Sequence, residues 1–269
     1  MVAFAIVLQY RGFRRFSMNL FKFLFFSSLF LLGQCAELTG GKESEDNSAE
    51  TLLLALTNNA VCPSGTAIAA QPTNGTRYDF TQCSGPATAA LKLAGFTASS
   101  DVQLIGGIVG GGNSSTIYRD SSSLSNSGGE KKASVQITYV LSNTDSTIDV
   151  VLPSTTSLSG PTFQITPGEI KKKSATGTTS SLGGKAGVWA SSVSQEKTLC
   201  LEVHSENGAH IFGWEGPCSS VSRTSYGFEE ESVSGFDFSG DRIGLRINKA
   251  TIKSLNVYSS NIGTSGSLR

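Results

Sequence analysis

Short runs with apolar residues at every second position, cut apart by turn clusters, decide what this chain can fold into. In SVQITYVL, Val135, Ile137, Tyr139 and Leu141 share one face of an extended strand, while Gln136 and Thr138 take the other. The same period recurs in DVQLI, IDVVL, TFQIT, GVWASSV, TLCLEVHS, HIFGW, SGFDF, RIGLRIN and IKSLNVY. Between them stand turn formers such as SSSLSNSGG, NTDS, SATGTTSSLGG and SGD. Many short strands closely punctuated by turns predict a mainly β fold of two antiparallel sheets packed face to face. Composition agrees, because 30 glycines and only 16% charged residues suit strands and turns better than helix interiors. One or two short helices are expected near the N-terminal end. One is AETLLLALT at 49–57 with Ser48 as its cap; the other is PATAALKLA, with Ser84 ahead of it, Pro86 in its first turn and Gly95 as its stop.

One hairpin is readable in detail. TLCLEVHSENGAHIFGW holds Asn207-Gly208, a favoured two-residue turn, between two alternating runs. That loop pairs Val203 with Phe212 and Leu201 with Trp214 as a core face, and turns Glu202, His204 and Ile211 the other way. The only two histidines, His204 and His210, then fall on opposite faces and share no ion.

Ahead of the body lies an apolar run from Phe23 to Leu32, preceded by Arg11, Arg14, Arg15 and Lys22. It is shorter than the ~20 residues a membrane-spanning helix needs, and it has the order of parts of a secretory signal. MNLFKFLFFSSLFLLGQC makes a complete signal alone, so the true start is expected at Met18. The run ends in Leu31-Leu32-Gly33-Gln34-Cys35, which resembles a bacterial lipobox of the relaxed, spirochaete-like kind, with Gln34 where Ala or Gly is usual. The resemblance implies that Cys35 becomes the first mature residue, joined by a thioether to diacylglycerol. It also implies two or three acyl chains, enough for stable attachment. The competing reading is a secreted protein cleaved near Ala36. GGKESEDNS then serves as a flexible tether. The expected layout is a signal at 1–34, lipidated cysteine and tether at 35–48, a single β-sandwich domain at 49–258 and a polar tail at 259–269. The expected location is the outer membrane, on its surface or its periplasmic leaflet.

Setting Cys35 aside leaves Cys62, Cys83, Cys200 and Cys218 as two local pairs in a compartment that permits disulfides. Cys62–Cys83 and Cys200–Cys218 are the expected bridges, each worth ~3 kcal/mol in the chain-entropy model. Zinc is disfavoured by the lack of C-x-x-C spacing.

The C-terminal block SGFDFSGDRIGLRINKATIKSLNVYSS resembles the closing hairpin of concanavalin A-like jelly rolls, the fold of laminin-G, legume-lectin and many carbohydrate-binding domains. That resemblance implies a ligand site on a concave sheet face or on loops at one end.

Chemical signals are sparse. Neither the E-x-D-x-x-E of jelly-roll glycosidases nor G-x-S-x-G occurs, and IGGIVGGGN fits neither phosphate-loop spacing. That glycine run is expected to be a loop or a bulged strand. Glu229, Glu230 and Glu231 with Asp237 and Asp241 are weak calcium candidates, with a solvated acidic loop the favoured alternative. Lys171, Lys172 and Lys173 are candidate contacts to acidic glycans, with a protected strand edge as the competing reading. Trp189 is a candidate sugar-stacking residue, with core as the favoured alternative. With 21 basic and 21 acidic residues there is no field to draw nucleic acid, and no cofactor is expected. The function expected is a non-catalytic, membrane-anchored binding or adhesion module for host matrix or envelope components. The alternative is a carbohydrate-binding jelly roll, and a third reading is a hydrolase with an unrecognised site.

Overall fold

The computed structural model describes residues 59–69, 74–112, 115–122, 125–127, 130–174, 176–184, 187, 189–205, 209–221, 227–233 and 238–258. All lie in the compact unit Ser48–Arg269; the other unit is Met1–Asn47. The signal, Cys35, the tether, the whole of the 49–57 helix, Asp237 and the polar tail fall outside the described residues.

The fold is a two-sheet β-sandwich in which every strand pairing is antiparallel. The first sheet has ten strands: β1 (Thr66–Ile68), β2 (Gly75–Asp79), β4 (Val102–Leu104), β5 (Ile108–Gly110), β7 (Ser125–Ser127), β8 (Glu130–Leu141), β13 (Glu196–Ser205), β14 (Ala209–Glu215), β15 (Phe228–Val233) and β17 (Ala250–Tyr258). Its main path runs β1-β2-β17-β8-β13-β14-β15. The second sheet has seven strands: β3 (Phe96–Ala98), β6 (Ser115–Arg119), β9 (Thr147–Ser154), β10 (Thr162–Ile165), β11 (Ile170–Lys173), β12 (Thr179–Ser181) and β16 (Arg242–Asn248), ordered β12-β11-β10-β9-β16-β6-β3.

The core forms as alternation dictates. Val135, Ile137, Tyr139 and Leu141 from β8 meet Ile148, Val150 and Leu152 from β9 and Leu245 and Ile247 from β16, all buried. Tyr139 lies among them because its hydroxyl reaches Ser191 Oγ at 2.6 Å. Burial pushes its pKa up to about 12, the Ser191 bond pulling the other way. One helix, α1 (Ala87–Leu93), buries Ala89, Ala90 and Leu91 and ends where Gly95 turns left-handed at φ +82°, the stop expected from sequence. Phe96 meets both Tyr78 and Phe80 edge-to-face, at 4.8 and 5.5 Å, while those two rings lie near-parallel to each other.

The hairpin register is shifted by one residue from the sequence expectation. Ser205 pairs with Ala209, so Val203 lies opposite Ile211 and Leu201 opposite Gly213. Because side chains alternate strictly, that slip exchanges the faces of the whole second strand. Ile211 joins the inter-sheet core, while Phe212 and Trp214 go to the outer face. The C-terminal block is also not a hairpin. β16 belongs to the seven-stranded sheet and β17 to the ten-stranded one, so the chain crosses between layers at Lys249. That residue adopts φ +48°, and its carbonyl accepts from the Ser142 amide at 3.0 Å and from Ser146 Oγ. GVWASSV is no strand either: Trp189 sits in a turn at φ +53°. Conversely, FEEESV, expected as an acidic loop, is β15.

The glycine run is explained by close approach. A Cβ on Gly107 would lie 2.6 Å from the Ile252 carbonyl oxygen, and one on Gly110 2.3 Å from that of Ile247. Glycine lets the β4–β5 hairpin lie directly against β17 and β16.

Candidate functional site

The outer face of the seven-stranded sheet is built from the residues that alternate away from the core. Register sets one row across it: Ser181, Lys171, Gln164, Asp149, Arg246 and Thr116. Asp149 is the centre of this row and only 4% exposed. Its Oδ1 accepts from Gln164 Nε2 at 3.0 Å, and its Oδ2 lies 2.8 Å from Lys173 Nζ and 3.8 Å from Arg246 Nη1. A carboxylate so enclosed needs compensating charge, and here two cations share it.

Above this row lies a cleft of about 360 Å³. Its floor is Thr162, Lys173 and Arg246; one wall is the loop Ser157–Gly160 and the other holds Ser174, Thr176 and Gly177. The first wall is held over the sheet by two devices. Arg246 Nη2 donates to the Leu158 carbonyl at 2.7 Å, and Leu158 itself, at φ +59°, packs above Gly244, where a Cβ would lie 2.2 Å from Leu158 Cδ2. Hydroxyls in both walls are already oriented, Ser157 with Thr155 at 2.9 Å and Ser174 with Thr176 at 2.8 Å. Ser174 Oγ also accepts from the Thr178 amide at 3.2 Å, which fixes that wall further, and a hydroxyl oriented in this way keeps part of its donor and acceptor capacity for a ligand.

Of the three lysines picked out in the sequence, only Lys173 enters the cleft. Lys171, on the same face, pairs with Glu169 at 3.2 Å, and Lys172 points the other way to Glu230 on β15 of the opposite sheet. Burial pushes the Glu169 carboxyl up, but bonds from Ser181, Lys171 and the Gly187 amide outweigh it and hold the pKa below the usual value. None of the three lysines marks a sheet edge, since β11 is flanked by β10 and β12. Asp149 and Arg246 are absent from the sequence-derived candidates. The signal for Asp149 was a charge inside the apolar strand IDVVL; Arg246 looks like any outward polar residue of RIGLRIN.

Trp189 is partly buried and packs against the core, as the favoured alternative expects. Its ring lies 5.0 Å from that of Phe228, over Gly227, where a Cβ would sit 1.6 Å from the indole, so it seals the core margin. Asp241, a weak calcium candidate, holds Arg242 in a two-toothed pair at 2.7 and 3.2 Å. The disulfides Cys62–Cys83 and Cys200–Cys218 are both formed. His204 and His210, expected apart, stack face to face at 4.9 Å because the shifted register sets them opposite each other. His204 also stacks on Phe212 at 5.4 Å, and its Nδ1 lies 3.9 Å from Glu202 Oε1. Among the described residues no cluster of three or more His, Cys, Asp or Glu is placed to hold a metal.

No family model matches the chain, and no curated protein matches it in sequence. Solved structures with a similar sandwich include the metal-free carbohydrate recognition domain of Emp46p, at 15% identity and a TM-score of 0.43, covering 63% of this chain and 90% of that one. The carbohydrate-binding module CBM66 from Bacillus subtilis is 12% identical with a TM-score of 0.38, covering 62% of this chain and 93% of its own. A carbohydrate esterase from the Shiga toxin-encoding bacteriophage phi24B gives 12% and 0.39, covering 64% and 94%. At such identities the likeness is one of sheet architecture alone.

Proposed function

We propose that the protein is an exported, lipid-anchored module that binds glycans, without turning them over, in the cleft floored by Lys173 and Arg246. The cleft itself carries this reading: a recess on an open sheet face whose lining is hydroxyls, an ammonium and a guanidinium, with Leu158 as its one large apolar side chain. Sugar hydroxyls both donate and accept, and such a lining answers them in both senses. The carboxylates of the described residues support binding without hydrolysis. Glycoside hydrolysis uses two carboxyl groups flanking one bond. Among the described residues none lining the cleft is Asp or Glu, and Asp149 beneath it is committed to Lys173, Gln164 and Arg246.

The anchor in this reading is Cys35, with the polar segment that follows it as a spacer from the outer membrane. Mass spectrometry of the mature N-terminal peptide is expected to find diacylglycerol on that sulfur, and protease treatment of intact cells tells surface from periplasmic display. The glycan reading is tested by applying the full-length protein, solubilised in detergent, to a printed glycan array. Reproducible binding to a defined subset is the expected result. A wholly negative array overturns the reading and returns the molecule to the class of protein-binding adhesion modules.

A further inference from the structure

The charge balance of the cleft floor selects among glycans. Two permanent cations, Lys173 and Arg246, converge on a single carboxylate, Asp149, leaving the trio one positive charge in excess. Among the described residues, the neighbouring lysines of the same strand are each paired, Lys171 with Glu169 and Lys172 with Glu230. The uncompensated charge is therefore local to the cleft. It is also presented outward: the side chains of Lys173 and Arg246 are 26% and 34% exposed, whereas Asp149 beneath them is 5% exposed. The carboxylate holds both cations from below and offers little to a ligand.

The donor count points the same way. Lys173 gives one bond to Asp149, and Arg246 gives one to the Leu158 carbonyl. The other protons of the ammonium and most of the guanidinium fork remain for a ligand. A guanidinium beside an ammonium, both fixed by a buried counter-ion, matches the geometry of an oxyanion bound through charge-assisted hydrogen bonds.

Resting on the glycan-binding reading, we infer that the ligand of this cleft is an anionic saccharide whose oxyanion sits on Arg246 and Lys173 while its ring hydroxyls meet the serine and threonine walls. Carboxylate and sulfate groups supply the same oxyanion chemistry from two sources, and the experiment separates them.

Full-length protein in detergent is titrated calorimetrically with trigalacturonate, a sulfated galactan tetrasaccharide free of uronate, neutral galactotriose and inorganic sulfate, each at low and high salt. At least one of the two anionic oligosaccharides is expected to bind ten-fold or more tighter than galactotriose, with the preference shrinking at high salt; which one does so identifies the oxyanion. Arg246→Gln is expected to remove most of that preference, read within the variant as the ratio of anionic to galactotriose affinity. Because Arg246 also holds the Leu158 loop, Lys173→Gln serves as a second variant, expected to lower the preference at least three-fold. Equal affinity for the anionic and neutral oligosaccharides overturns this inference while leaving the glycan reading standing. Binding of inorganic sulfate as tight as that of the sulfated oligosaccharide also overturns it. Absence of binding by all three oligosaccharides removes the glycan reading itself.

Discussion

On the outer face of the ten-stranded sheet, Cys200, Glu202, Phe212, Trp214 and Tyr258 are buried almost completely, and His204 is only 3% exposed. On the outer face of the seven-stranded sheet, Thr116, Gln164, Lys171, Lys173 and Arg246 keep contact with solvent. Both faces alternate with the same core, yet one is a second interior and the other stays open to solvent. The chemistry differs accordingly. The closed face carries a disulfide, stacked rings and a carboxylate and imidazole in one apolar setting, where removing a partner costs several kcal/mol. The open face carries charges that are shared, partly hydrated and still able to bind something else. A buried Glu–His pair is therefore read as structure, and a partly exposed Lys–Arg pair over a buried Asp149 as the proposed site.

Truncation should separate the two faces most sharply. Phe212, 2% exposed and stacked on His204, is expected to lose ~3–5 kcal/mol on change to Ala. Thr116→Ala on the open face is expected to stay within about 0.5 kcal/mol of wild type. Chemical denaturation of both variants checks this, and comparable losses would erase the distinction between the faces. The Cys200–Cys218 bridge belongs to the same closed face, alongside Phe212, Trp214 and Tyr258. Replacing both cysteines by Ala is expected to cost ~3 kcal/mol, with ligand binding at the distant cleft unchanged in the folded fraction.

Between the faces lies the shared core, and pH probes it. Tyr139 has its pKa pushed up to about 12 by burial, against about 10 in an unfolded chain. Its folded pKa is the higher one, so below pH 10 both states hold the proton and the stability is constant. Between about pH 10 and 12 the unfolded chain releases the proton first, and stability falls by ~2–3 kcal/mol. Burial likewise raises Tyr78 and Tyr258, which deepen the same alkaline limb. Thermal melts from pH 9 to 12 should show the decline, and Tyr139→Phe should make it shallower while giving up the bond to Ser191. An unchanged slope in that variant would place the titration elsewhere.

How far this was legible in the sequence follows from the period itself. Alternation along Val135–Leu141 names a core face correctly, because one side is uniformly apolar. It cannot say which outer face is covered, since cover comes from segments far away in sequence. The Asn207-Gly208 signal located a hairpin but not its register, and one residue of slip moved Phe212, Trp214 and Ile211 to the wrong sides. The same slip hid the His204–His210 stack. The crossing at Lys249 escaped because two alternating runs so close in sequence look like a hairpin unless their partners are known. Of the cleft, Lys173 was visible as part of a lysine run, whereas its assembly with Asp149 and Arg246 depends on β9, β10, β11 and β16 lying side by side.

Neighbouring lysines offer the finest test of the contrast between working surface and structure. Lys172 and Lys173 are adjacent on β11 and alternate to opposite sides, so Lys173 floors the cleft while Lys172 reaches across to Glu230 on the other sheet. Their exposures are the same, 26% for each side chain, and each has one carboxylate partner. Exposure alone would give them equal roles. The topology does not, because Glu230 also accepts from the Gly183 amide and so ties the sheet margin together. Lys172→Gln is expected to cost ~1 kcal/mol, as a partly exposed pair usually does, and to leave saccharide affinity within two-fold. Lys173→Gln should weaken anionic saccharide binding more than it lowers stability. Parallel denaturation and calorimetry on the two variants read both quantities, and a Lys172→Gln protein that bound as poorly as Lys173→Gln would put the ligand at the sheet margin instead of in the cleft.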